Sequence, residues 1–150
     1  MPTTDYTPTV SQVASHILSR TVNQYGIRLG TFTADTTPTD TEVDAVIAIT
    51  MPEIADVIGD DIPQFLWDDA EAVASIRVAM QVEISFFSEQ VSADRSAYPL
   101  LKEKYETAIE NLVKQVTAAD EGSTGAVVSG TTGTASWSFP PSDDWMTRVM

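Results

Sequence analysis

Few residues in this chain have the types and spacing that chemistry demands. His16 is the one histidine, and there is no cysteine. Metal binding or acid–base catalysis needs several convergent groups, so a lone imidazole beside an apolar helical stripe reads as a packing or surface residue. A Ser–His–acid arrangement is compatible with the composition, yet no nucleophile-elbow motif is present. The pairs Asp60-Asp61 and Asp68-Asp69 could offer two carboxylates to a metal. They flank a predicted helix end and a predicted helix start, where acids cap and favour the N-terminal dipole, and the ligand spacing of a calcium loop is absent. Gly122, Gly125, Gly130 and Gly133 are followed by no Gly-Lys-Ser/Thr and form no phosphate loop. The residues therefore predict a non-enzyme with no catalytic, cofactor-binding or metal site.

Arg77 and Glu83 are the only charges between Glu71 and Glu89, within the most apolar stretch of the chain. Six residues apart on one helix, they cannot pair with each other. Two readings stay open: each snorkels to solvent, or one or both pair across a subunit boundary, because a buried charge needs a partner.

Four helices and an arm must position these groups, giving a mainly α fold: a helical domain over residues 1–119 and an extended C-terminal arm over residues 120–150. The first helix is predicted from Thr9 to Val22, with Thr9 and Gln12 at capping-box spacing and Val10, Val13, Ala14, Ile17 and Leu18 on one face. A long connection follows, rich in Thr and Gly, and reads as strand or loop. A connection of that length is usually functional when ordered. The second helix opens on Pro38, Thr39 and Glu42, carries the stripe Val43, Val46, Ile47, Thr50, Ile54 and Ile58, and stops at Gly59. Pro52 inside it predicts a kink or two short helices. The third helix starts at Pro63 or Asp68 and runs to Val91. It is apolar on several sides, which predicts burial on several sides and a need for neighbouring copies to cover it. The fourth runs from an N-cap at Ser96 to Ala118. Beyond Asp120 the four glycines predict a flexible or extended segment, ending in Trp137, Phe139, Pro140, Pro141 and Trp145. Large aromatics mean buried area: either another chain covers them, or they strap back onto their own helices.

With 22 acids against 8 bases the net charge is −14, so the basic patch of a nucleic-acid reader is missing. An acidic wall past which DNA slides remains open. No apolar run is long enough to span a membrane, and no signal-peptide pattern opens the sequence. A soluble protein made in a cytoplasm is expected.

The stretch GTFTADTTPTDTEVDAVI, Gly30 to Ile47, followed by AMQVEISFFSEQ, Ala79 to Gln90, and by Ser138-Phe139-Pro140-Pro141, resembles head-to-tail adaptor proteins of long-tailed bacteriophages, in particular those of actinobacteria. The resemblance implies a small helical virion subunit, assembled in the host cytoplasm, without enzymatic activity or cofactor. It implies a ring of about twelve copies, closed head to tail, below the portal. Such a ring extends the DNA channel and docks stopper or tail-completion proteins. Trp137, Phe139, Pro140, Pro141 and Trp145 would then dock on the portal or a neighbour. Tyr25, Arg28, Phe32 and Asp35 would make a loop contact, in the channel or on the next ring. The competing expectations are a stopper or tail terminator, or a small acidic secreted effector. The effector class is disfavoured because no Trp is followed two places on by Gly, and Ile109 stands four places after Tyr105.

Overall fold

The computed structural model describes residues 5–59 and 61–138, with side chains through residue 122. Its helices are α1 (Val10–His16), α2 (Asp40–Ile58), α3 (Trp67–Phe86), α4 (Ser88–Ser92) and α5 (Tyr98–Ser138), with 3-10 turns at Leu18–Arg20 and Gln64–Leu66. The fold is mainly α, and no strand occurs among the described residues. The chain divides into two compact units, Met1–Val116 and Thr117–Met150.

Helix starts follow the local chemistry. Thr9 caps α1 and Thr39 caps α2, each with a reciprocal capping box completed by Gln12 or Glu42. At α5 the Tyr98 N–H donates to Ser96 Oγ at 3.1 Å and the Leu101 N–H to the Ala97 carbonyl at 2.9 Å, so the cap position is Ala97 rather than Ser96. Gly59, at φ 93°, ends α2 in a conformation that favours glycine. The Tyr6 hydroxyl donates to the Gly59 carbonyl at 3.0 Å, which latches the N-terminal segment over this cap with its ring buried.

Four expectations about the helices need correction. α1 stops at His16, not Val22, because Ile17 leaves the helix at φ −135° and a 3-10 turn takes over. α2 runs through Pro52 as one helix and not as two short ones, its stripe from Val43 to Ile58 buried on both sides of the proline. α3 breaks at Phe87 rather than reaching Val91, and the separate turn α4 follows. Residues 120–138, expected to be extended, carry helical backbone continuous with α5; an established helix adds residues at far lower cost than it nucleates.

α3 is the axis of the first unit. Ala70, Val73, Ala74, Ser75, Val78, Ala79, Met80, Val82 and Glu83 are all buried. α1 and α2 contact it, and the early turns of α5 contribute Leu101 and Leu112 to the same core. Much of the cover expected from other copies comes from the chain itself, which buries these nine residues. The cause is the run of small side chains, Ala70, Ala74, Ser75 and Ala79, which lets neighbouring helices approach closely. Apolar exposure remains at its end, at Ile84 and Phe86.

Candidate functional site

Arg20 organises the polar heart of this unit. The 3-10 turn after α1 carries its guanidinium towards α3. There Nε donates to Glu83 Oε1 at 2.7 Å and Nη2 to Glu83 Oε2 at 2.8 Å. Nη1 donates to Gln90 Oε1 of α4, and the guanidinium lies 3.9 Å from the centroid of the Phe87 ring. Glu83 is 0% exposed. A carboxylate so placed is tolerable only when paired and hydrogen-bonded, and the fork geometry of arginine meets that need. Phe87 leaves the helix at φ −129°, ψ 33°, where its ring lies under Arg20.

Arg77 donates from Nη2 to Glu53 Oε2 of α2 at 2.8 Å and stands 6.0 Å from the Tyr105 ring of α5. Both charges of the apolar helix thus have partners inside the chain, which corrects the expectation of pairing across a subunit boundary. Burial pushes the Tyr105 hydroxyl pKa up; Arg77 opposes that rise and Glu53 adds to it.

Immediately beyond Arg20 lies the loop that the sequence marked as a contact. Thr21, fully buried, donates its hydroxyl proton to the Leu18 carbonyl at 2.7 Å. Its carbonyl accepts the Leu29 N–H at 2.7 Å and its hydroxyl oxygen the Gly30 N–H at 3.2 Å. At the tip, Asn23 Oδ1 accepts the N–H groups of Tyr25 and Ile27, both at 2.9 Å. Isolated antiparallel bridges join Val22 to Arg28 and Asn23 to Thr36. On the return side Thr36 Oγ1 accepts the Thr33 N–H at 2.9 Å and donates to the Pro38 carbonyl at 2.7 Å. The Thr37–Pro38 peptide is cis.

This scaffold holds out side chains that normally stay inside. Tyr25 is 77% exposed, Ile27 57% and Leu29 40%, and Arg28 and Asp35 are exposed beside them. Phe32 departs from the expectation of a projecting contact. It is 3% exposed and plugs the loop into the core, where an aromatic ring gains most from leaving water. The sequence reading also missed Arg20 and Gln90, and it did not single out Ile27 and Leu29 within the strand or loop. A carboxylate alone in an apolar helix was the available signal that a distant base had to exist.

His16 Nε2 and Ser75 Oγ are 2.8 Å apart. The Ser75 hydroxyl proton is committed to the Ala72 carbonyl at 2.7 Å, so the serine oxygen accepts and His16 carries its proton on Nε2. This is the reverse of a base activating a nucleophile. Burial, followed by the charge of Lys104, holds the His16 pKa below its ordinary value. Asp68 and Asp69 occupy the first turn of α3, Asp61 is exposed, and Asp60 lies outside the described residues. No group of three or more His, Cys, Asp or Glu could hold a metal among the described residues, and no described helix is long and apolar enough to cross a membrane.

A groove of about 220 Å³ lies between α3 and α5, lined by Val73, Ile76, Ala108 and Leu112 together with the polar Asp69 and Gln115. Of the expected docking residues, Trp137 falls in the backbone of α5, its side chain outside the described set. Phe139, Pro140, Pro141 and Trp145 lie outside the described residues. Comparison with protein-family models, curated proteins and solved structures finds no match to this chain.

Proposed function

We propose that the chain is a structural head-to-tail adaptor of a long-tailed phage, a ring-forming subunit beneath the portal that extends the DNA channel and docks the stopper or tail-completion proteins. The observation that carries this reading is how the segments behind the resemblance meet. Glu83, Phe87 and Gln90, all within Ala79–Gln90, grip Arg20, and the adjoining Thr21 fixes Gly30, where the other segment begins. Together they support a stiff loop with apolar residues held in water, which suits docking better than chemistry. The charge of −14 suits a channel wall that lets packaged DNA pass without adhesion.

In this reading Trp137, Phe139, Pro140, Pro141 and Trp145 anchor the subunit to the portal or to a neighbour. Deleting residues 120–150 is expected to leave a folded helical protein, by circular dichroism, that no longer attaches to portal-bearing heads. Normal attachment by the truncated protein refutes the arm's role.

A further inference from the structure

We infer that the loop tip of one copy docks on the outer face of α2 of a second copy, with Arg28 meeting Asp56 and the Tyr25–Ile27 apolar tip covering Ile49. The inference rests on the adaptor reading only in supposing self-assembly; it assigns the surfaces.

The first observation is charge. No acidic residue occurs between Asp5 and Asp35, although the chain holds 22 acids. Within that stretch Arg20 is neutralised by Glu83. Arg28 is exposed and makes no ion pair among the described residues. Arg28 is therefore an exposed cation at the tip of a strongly acidic protein, with Asp35 on the return side of the loop, and the tip is stiffened by Asn23, so little freedom is lost on docking.

The second observation is a face with the opposite character. α2 carries Asp40, Glu42, Asp44, Glu53 and Asp56 and no base. Ala45, Ile49, Pro52 and Asp56, spaced four, three and four residues apart, share one side of a helix, and all are exposed. Ile49 is 64% exposed at the centre of this row. Asp56 makes no ion pair among the described residues, whereas the neighbouring Glu53 is committed to Arg77. Pro52 has no N–H, so the Ala48 carbonyl beside Ile49 lacks its i+4 donor and can accept from the Tyr25 hydroxyl or the Arg28 guanidinium.

Cationic, apolar, donor-bearing tip and anionic, apolar, acceptor-bearing face are different surfaces of one chain. A contact between them is heterologous: every copy keeps one free tip and one free face, and growth ends only when the ring closes.

Sedimentation velocity on the full chain at increasing concentration tests this. The wild type is expected to associate. Arg28→Glu and Ile49→Asp are each expected to weaken association about tenfold or more, as loss of a close charge pair or a central anchor does, with unchanged circular dichroism. Asp56→Arg is expected to restore association to Arg28→Glu. A mixture of the Arg28→Glu and Ile49→Asp proteins keeps one intact tip and one intact face, so it is expected to stop at a heterodimer.

A wild type that stays monomeric at every concentration overturns the inference. So do single variants that assemble normally, or a mixture that builds larger species. Attachment of the same variants to portal-bearing heads separates the two readings. Normal self-association with attachment lost moves the tip to an unlike ring and refutes only the tip-to-face contact, while the adaptor reading fails if the wild type itself does not attach.

Discussion

Two arginines in this protein do the same thing on paper and different things in space. Arg20 and Arg77 each reach a glutamate on another element and each stand by an aromatic ring. Arg20 makes both fork bonds to a carboxylate with no exposure, a third bond to Gln90, and close contact with Phe87. Arg77 makes one bond to a carboxylate that is 58% exposed, with its ring partner at 6.0 Å. Residue type is equal, so solvent decides. Water screens the second pair and can replace either partner. It does not reach Glu83 in the first, where removing the arginine strands a buried charge.

The largest effect expected from this contrast is at Arg20. Arg20→Met should cost about 3–5 kcal/mol in urea denaturation by leaving Glu83 buried and unpaired. The double variant Arg20→Met/Glu83→Met should recover most of that loss, because an apolar pair of similar volume needs no compensation. If the single variant costs no more than its Arg77 counterpart, burial does not separate the two pairs.

A pH series sharpens the comparison by isolating the other polar link to α3. The His16 pKa is held below its ordinary value of 6.5. Between the folded and unfolded values the unfolded chain binds the proton more readily, so the contribution to stability is complete above 6.5 and is lost as pH falls below it. Stability measured from about pH 7 down to about pH 5.5 should therefore fall more steeply in the wild type than in His16→Gln, which keeps a donor for Ser75 but cannot titrate. Parallel slopes would remove His16 from the account.

The smallest effect is expected at the second pair. Arg77→Met should change stability by about 0–1 kcal/mol, and by less in high salt, because an exposed pair is screened. A cost near that of Arg20→Met would erase the distinction.

The contrast also explains what could be read without coordinates. Both capping boxes were legible because donor and acceptor lie three residues apart, as in Thr39 and Glu42. The α2 stripe was legible because 3.6-residue periodicity is itself the record of a buried side, and every member from Val43 to Ile58 is buried. The grip on Glu83 was not: its arginine is 63 residues away, and no local rule chooses among distant bases. The early end of α1 was hidden for the same reason, since the turn that delivers Arg20 answers to a tertiary partner. Of the loop residues, Tyr25, Arg28 and Asp35 lie exposed as a contact requires, while Phe32 does not. Composition marks a segment as loop but cannot say which of its rings turns inward.

The alanines at positions 70, 74 and 79 of α3 are each 0% exposed, and their consequence reaches beyond packing. Each leaves only a methyl group between α3 and its neighbours, so a larger residue there must push helices apart, at about 1–3 kcal/mol. Such a centre is closed to gradual change, and an evolving lineage can explore new partners only by altering the rim. The axis thus decides where novelty can enter: at the loop tip and along the wet side of α2, where a substitution disturbs nothing it leans on.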